Sequence, residues 1–403
     1  MSRAPEAAPL LGRRIWLAGI GGAGMSAYAV VAKAWGADVS GWDKTETPYL
    51  ANVRAVGIAV EIAPKPTLPG PELERYVSTA FASRIDGRPR ADLLAELVSL
   101  RDSIVVTGAH GKTTTSGMIA FCLDRLGLDP AFIVGGEIPQ LGGNARAGSG
   151  WLVVEGDESD RSVAALRPEI AVLLNVDLDH HSTYASRAEV EQLFEDWLIK
   201  VPKVVRAEQL EPVELPLALA GEHNRSNAAA ALAALELAGV ERAVAERAIV
   251  EYRGAGRRFE ARGEAAGVRV FDDYAHHPAE IAATLSAARD EAGEGRLAVF
   301  FQPHLYSRTR HLAREFAVAL AAADAVCISE IYAAREEPVA GVGGKLIVDE
   351  LSEIRPGMPL AWTPTLEDGV RYLASWVRAG DLVFTIGAGD VERAGPLLLE
   401  ALA

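Results

Sequence analysis

An α/β chain built on parallel sheets is what this sequence predicts. Three times, an apolar strand runs into a turn of small residues that opens a helical pattern. The strands are short and continuously apolar rather than alternating, as strands covered on both faces are. At 403 residues the chain exceeds what one ordinary core organises, so more than one domain is expected.

Taken in order, the first strand is expected over 14–18. It runs into Gly19-Ile20-Gly21-Gly22-Ala23-Gly24, and an alanine-rich helix follows over about 25–35. A short strand over 37–42 ends at Asp43, completing a βαβ unit whose parallel strands need helices over the sheet. Proline-rich 64–71 reads as a surface loop. The second block opens with a strand over 103–108 and a helix starting at Lys112. It adds buried strands over 151–155 and 170–175 and an alanine-rich helix over 227–237. The third block alternates strands over 268–271, 297–301, 325–329 and 382–386 with helices such as 278–292 and 309–322. Boundaries near 100 and 255 divide the chain into 1–100, 101–255 and 256–403.

Composition narrows the function. A net charge of −15 argues against broad nucleic-acid or anionic-membrane binding, because phosphate-rich partners need a basic face. It leaves room for a nucleotide, which needs only a locally positive pocket. The N-terminal stretch lacks the apolar run of a signal sequence, and nowhere do ~18 apolar residues follow one another, so a soluble cytoplasmic protein is expected. Cys122 and Cys327 stand far apart without metal-ligand spacing and read as buried apolar residues.

Two turns carry phosphate chemistry. The run 19–24 fits G-x-G-x-x-G at a strand-to-helix junction, where glycines admit a diphosphate to the backbone and the helix N-terminus adds partial positive charge. A ligand-free tight turn is the alternative; with a nicotinamide dinucleotide, Asp43 would meet a ribose hydroxyl. The run Thr107-Gly108-Ala109-His110-Gly111-Lys112-Thr113-Thr114-Thr115 is stronger. Backbone amides there can cradle phosphates, with Lys112 on a terminal phosphate and the Thr113 hydroxyl on Mg²⁺. Val106 stands where the P-loop pattern has its first glycine, so the loop must turn differently. Two such sites in one chain suggest ATP in the middle domain and another diphosphate compound in the first.

Glu155 ends an apolar strand and is the expected metal carboxylate, with Asp157, Glu158 and Asp160 left as supporting or surface groups. His180, leaving another buried strand, is either an ordinary hydrogen-bonded loop histidine or a ligand for a second metal. Arg258, near the second boundary, could stabilise charge on a transferred phosphoryl group, or form a salt bridge instead. In the third block, Tyr274, His276, His304 and Arg308 lie in strand-to-helix loops suited to a nucleotide or substrate, and the arginines suit a carboxylate.

On 19–26 (GIGGAGMS), 110–115 (HGKTTT), 155–160 (EGDESD), 179–180, 223–224, 256–259 (GRRF), 272–278 (DDYAHHP), 301–304 (FQPH) and 387–390 (GAGD), the chain resembles the Mur ligases of peptidoglycan synthesis. The likeness is collinear over nearly its whole length. The GIGGAGM, DDYAHHP and FQPH segments point to the members that add L-alanine. The resemblance implies a Rossmann-like UDP-substrate domain, a central P-loop-type ATPase domain with a mostly parallel sheet, and a Rossmann-like C-terminal domain receiving the amino acid. It moves the first turn, Gly19, Gly21, Gly22, Ala23, Gly24, Met25 and Ser26 with Asp43, from a dinucleotide to the UDP diphosphate. It places ATP on Gly108, His110, Gly111, Lys112, Thr113 and Thr114, with Asn227 near adenine, Arg258 near the γ-phosphate and Asp273 near the ribose. Thr113 and Glu155 would hold one Mg²⁺ and His180 a second; Tyr274, His276, His304 and Arg308 would line the alanine site.

The implied reaction joins L-alanine to UDP-N-acetylmuramic acid through an acyl phosphate, in a monomer or homodimer, with domain closure excluding water. Leu305 stands where the family usually has arginine, leaving Arg308 or Arg310 for the carboxylate. Ala109 replaces a usual threonine, the Asn-Pro-Glu stretch expected after 78–81 is missing, and 197–221 is short. A related ligase joining a preformed tripeptide, and a nucleotide- or UDP-sugar-binding homologue without catalysis, are the alternatives.

Overall fold

The computed structural model describes residues 8–178, 183–334 and 336–403. Among them, three sheets form. The first takes β1 (Arg14–Ala18), β2 (Asp38–Asp43), β3 (Ala59–Ile62), β4 (Glu74–Val77) and β5 (Arg88–Pro89) in the order β3-β2-β1-β4-β5. The second takes β6 (Ser103–Thr107), β7 (Ala131–Ile138), β8 (Gly143–Arg146), β9 (Leu152–Glu155), β10 (Ile170–Leu173) and β11 (Lys203–Arg206) in the order β11-β10-β6-β9-β7-β8. The third takes β12 (Glu260–Ala265), β13 (Val268–Asp273), β14 (Leu297–Phe301), β15 (Ala325–Ser329), β16 (Leu360–Thr363) and β17 (Leu382–Ile386) in the order β12-β13-β17-β14-β15-β16. Pairing is parallel except at two edges, β7 with β8 and β12 with β13.

The mostly parallel α/β architecture follows from the strand sequences. All five residues of β6, β14 and β17 are buried, because helices cover both faces of the sheet and no solvent face remains for alternation. The antiparallel edge strand β12 reads EARGEA and is largely exposed; its charges discourage pairing with another chain. Cys122 and Cys327 are both buried free thiols.

The described residues divide into two compact units. One holds the first two sheets and runs to residue 255; the other holds the third sheet, 256–403, together with 220–223. Within the first unit the helix Ala23–Ala34 is buried on several sides and packs against β7 and β8 as well as its own sheet. Small side chains make that possible: Ala27, Ala29 and Ala32 let backbones approach, and Asn144 Nδ2 donates to Ala23 O at 3.0 Å. One apolar cluster therefore joins residues of both sheets, from Ile15 and Leu17 to Val105 and Val154.

Element limits differ modestly from the sequence reading. The helix expected over 227–237 runs Glu222–Leu237, its polar first turn having hidden its start, so Asn227 lies in the second turn. The helix expected over 309–322 runs Tyr306–Leu320. The first sheet changes direction of winding at β1, which has β2 on one side and β4 on the other. The crevice beyond the carboxyl end of such a strand is where open α/β sheets accept ligands.

Candidate active site

The turn after β1 occupies that crevice. Gly19 has φ +83°, and a Cβ there would fall 2.6 Å from Ser78 Oγ, so both conformation and space demand glycine. Ser26 is the residue that donates to Gly22 O (2.9 Å), leaving the amides of Ala23, Gly24 and Met25 without an acceptor in the helix they open. Asp43, expected with the substrate at this turn, is tied into the turn itself. It is buried, and its carboxylate accepts from Gly21 N (2.8 Å) and Lys44 N (2.7 Å), bracing the turn from behind. Thr47 Oγ1 does the same from the other side, donating to Gly21 O at 2.7 Å.

The second turn follows β6. Val106 is a buried strand residue, and the bend begins at Gly108 (φ +131°) and ends at Gly111 (φ +84°). Asn175, at the end of β10, clamps the loop: its Oδ1 accepts from His110 N (2.9 Å) and its Nδ2 donates to His110 O (3.0 Å). Asn227 packs behind Gly111, its Oδ1 2.5 Å from where a Cβ would stand. Lys112 folds back over the loop, donating to Gly108 O (2.6 Å), Ala109 O (3.2 Å) and Glu158 (3.1 Å). Burial opposes its charge, but Glu158, Glu155 and Asp157 outweigh that and raise its pKa. Thr114 is buried in the first turn of the helix Lys112–Arg125.

Thr113 and Glu155 meet. Thr113 Oγ1 donates to Glu155 Oε2 at 2.9 Å, and Gly135 N donates to the same oxygen at 2.7 Å. A hydroxyl and a carboxylate converging on one point are the hard oxygen donors a divalent cation such as Mg²⁺ takes, so the donor set fits the metal. His180 lies outside the described residues. Of the two readings left open for the acidic run after Glu155, supporting or surface groups, the structure has the first. Glu158 is 3% exposed and is the counter-ion of Lys112, while Asp157 and Asp160 both bind Arg90. Sequence reasoning missed the roles of Asn175 and Arg90 and left Glu158 among supporting or surface groups, because a buried acid beside a loop lysine has no signature that separates it from a surface acid.

The second unit gathers its own cluster at the carboxyl ends of β13 and β14. Arg257 (φ +57°) pairs with buried Asp272 (2.7 Å) and donates to Gly387 O (2.8 Å) and Gly389 O (3.1 Å), fixing the 387–390 loop. Arg258 stands 5.2 Å from the Tyr274 ring and 3.7 Å from Glu280. Asp273 is taken up by backbone, accepting from Ala275 N and Phe259 N, each at 2.8 Å. Burial outweighs these bonds and Arg258, pushing its pKa up to about 6.

The four residues assigned to the amino acid come together. Tyr274 meets His276 edge-on (5.4 Å between ring centres), and His276 meets His304 (5.9 Å). Arg308, 2% exposed, lies 3.1 Å from His304 Nδ1; a guanidinium only donates, so that nitrogen accepts. Arg310 is exposed, so Arg308 is the guanidinium of this cluster. Tyr332, not foreseen, stacks on His304 (5.9 Å) and takes Leu305 N on its carbonyl (3.1 Å), holding Leu305 at φ +71°. Beside Tyr332 opens a cavity of about 340 Å³ lined by Gln302, Glu330, Thr365 and Asp390.

Parallel sheets, two glycine turns at strand ends and a lysine-threonine-glutamate group are the build of a nucleotide-binding α/β protein, and its relatives make it a ligase. Residues 106–205 match the Mur ligase middle domain, and 257–389 match the Mur ligase glutamate ligase domain. The chain belongs to the Mur ligase family. It is 36% identical to a UDP-N-acetylmuramate–L-alanine ligase of Mycobacterium sp. (strain JLS), over 97% of this chain and 95% of that one. It is 38% identical to the enzyme of the same name from Kineococcus radiotolerans, over 97% and 96%. The crystal structure of a UDP-N-acetylmuramate-alanine ligase from Thermotoga maritima superposes with a TM-score of 0.80 at 27% identity, covering 96% of this chain and 98% of that one.

Proposed function

We propose that the chain joins L-alanine to the carboxylate of UDP-N-acetylmuramic acid, consuming ATP and passing through an acyl phosphate. The observation that carries this is the phosphate loop in which Lys112 lies over Gly108 and Ala109 while Thr113 meets Glu155. It is supported by relatives of that name along nearly the whole chain.

The chemistry is charge management between two anions. A carboxylate oxygen bonds to the γ-phosphorus of ATP as the bond to ADP breaks; the alanine nitrogen then bonds to the acyl carbon, phosphate leaves and the amine loses a proton. Lys112, kept cationic by its acidic neighbours, would offset charge on the transferred group. The loop amides, held in place by Asn175 and Asn227, would cradle the phosphates. Thr113, Glu155 and His180 are assigned to Mg²⁺, which when bound neutralises phosphate charge. The amides of Ala23, Gly24 and Met25 are assigned to the UDP diphosphate. Tyr274, His276, His304 and Arg308 are assigned to the amino acid, with Arg308 gripping its carboxylate. Among the described residues no helix is long and apolar enough to cross a membrane.

Phosphate release with ATP, Mg²⁺ and UDP-N-acetylmuramate tests this, with L-alanine, glycine, L-serine or a tripeptide supplied in turn. Highest turnover with L-alanine is expected. Turnover confined to the tripeptide, or none with any acceptor, would refute the assignment.

A further inference from the structure

Arg90 belongs to none of the motifs above, yet it stands between the two glycine turns. It is the first residue of the helix Arg90–Ser99, and its side chain is 18% exposed. Nη2 donates to Asp157 Oδ2 (2.7 Å) and Asp160 Oδ2 (2.8 Å), and Nε to Thr79 Oγ1 (3.2 Å). Nη1 lies 3.3 Å from the point a Cβ on Gly24 would occupy, so the guanidinium covers the last glycine of the first turn. The ring of Tyr28 closes the same spot; its hydroxyl, 3.5 Å from that point, is pushed up to about 12 by burial.

The loop that Arg90 grips is the one that serves Lys112. Within it, Asp157 Oδ1 accepts from Ser159 N (2.9 Å) and Asp160 Oδ1 from Ser162 N (3.0 Å), while Tyr184 donates its hydroxyl to Glu158 O. Its backbone is thus fixed internally, and a displacement of Asp157 and Asp160 carries Glu158 with it. Glu158 in turn holds Lys112 at 3.1 Å. The path thus runs from the guanidinium, through three carboxylates carried on one loop, to the ammonium.

We propose that Arg90 is a positioning residue that couples the glycine turn to the phosphate loop. A diphosphate at the turn competes with Asp157 and Asp160 for the guanidinium, and the loop's response resets Glu158 against Lys112. This rests on the assignment of the turn to the UDP-sugar. Coupling of this kind is reciprocal: each ligand changes the other's affinity by the same factor.

The test is titration calorimetry of a non-hydrolysable ATP analogue with Mg²⁺, with and without saturating UDP-N-acetylmuramate. Wild type is expected to show an affinity ratio of about 5-fold or more between the two conditions. Arg90→Lys keeps the charge but loses Nε, which reaches Thr79 and Asp160, and Nη1, which covers Gly24; its ratio is expected to fall to within about 2-fold of unity, with affinity for the analogue alone shifted toward that of wild type saturated with UDP-N-acetylmuramate. Asp160→Asn, which keeps an acceptor, serves as a second variant should Arg90→Lys fold poorly, and is expected to reduce the ratio in the same direction. A merely structural role would lower the melting temperature and leave the ratio intact, and an unchanged ratio in both variants, or a wild-type ratio of one, overturns the proposal. Wild type that binds no UDP-N-acetylmuramate at all overturns the functional reading beneath it as well.

Discussion

Gly135 offers a clean probe of the proposed metal site, because a single methyl group would disturb it without touching the core. Gly135 is an exposed residue of β7 with a φ outside the left-handed region, so alanine meets no backbone penalty there. An added Cβ would stand 2.9 Å from Glu155 Oε2 and 3.1 Å from Oε1. The nearer contact is short of ordinary van der Waals separation by about 0.5 Å. The carboxylate must retreat by that amount, stretching the Thr113–Glu155 bond from 2.9 Å toward the limit of hydrogen bonding. Since a 1 Å misplacement costs about 100-fold in rate, a shift of half that predicts about a tenfold loss of turnover for Gly135→Ala. Half-saturation by Mg²⁺ should rise with it. Stability should stay level or rise by about 0.5 kcal/mol, from the restricted unfolded chain. The assay is phosphate release at saturating substrates across a Mg²⁺ series, alongside thermal melting. Wild-type turnover with wild-type Mg²⁺ dependence would refute the placement of Glu155 in the metal site.

Other perturbations test the neighbouring pieces. Lys112→Ala should abolish ADP formation and, by stranding buried Glu158, cost about 3 kcal/mol in denaturant unfolding; adding Glu158→Gln should restore stability without activity. Near-normal turnover in Lys112→Ala would end its phosphate role. Gly111→Ala must adopt φ +84° with a Cβ 2.5 Å from Asn227 Oδ1, so it should lose about 1–2 kcal/mol of stability and bind the ATP analogue more weakly in calorimetry. Asp273 predicts a pH effect. Its folded pKa of about 6 lies above the ordinary 3.8, so stability from its protonated form is complete below about 3.8 and is lost as pH rises through about 6. Between pH 4 and 7.5, urea unfolding should therefore shift in favour of Asp273→Asn over wild type, by on the order of 2 kcal/mol; a pH-independent difference would count against the buried carboxyl.

Much of this was legible in the chain itself, and the remainder hid for identifiable reasons. Continuous apolar runs such as LAVFF and LVFTI mark buried parallel strands because nothing but helix covers them. Glycines beside Lys112 mark a phosphate loop because few other structures need that combination. The hairpin of β7 and β8 was not read, since FIVGGEI interrupts its apolar run with two glycines, one of which makes room for Glu155. The 155–160 run shows four acids that look alike on paper. Only the fold separates Glu155 on Thr113, Glu158 on Lys112, and Asp157 and Asp160 on Arg90, which is 67 residues from the nearer aspartate in sequence. Burial works to raise the pKa of Asp157, and Arg90, Ser159 and Lys112 override it and hold the carboxyl below the usual range. Asp43 and Asp273 taught the converse. Asp43 was expected with the UDP-substrate turn and Asp273 near the ribose, and the carboxylates of both accept from backbone amides that shape the loop.

That division of labour has a common cause. In a parallel sheet the strand carboxyl ends lie along one edge, where the chain must leave the sheet and turn into a helix. The amides of that first turn face outward and attract anions, so ligand-facing work suits backbone and a few long side chains, which in the proposed assignment are Lys112 and Arg308. Such turns are strained or crowded: Gly19, Gly108, Gly111 and Leu305 all have positive φ. They hold only if something behind them is rigid, and short side chains at the same strand ends supply it: Asp43, Asn175 and Asp273 each bond backbone within a few residues of a glycine turn or helix start. A short polar residue at the end of a buried parallel strand is therefore as much evidence for a brace as for a ligand contact. Which of the two it is depends on whether its oxygens already have amide partners, a question of geometry that residue type leaves open.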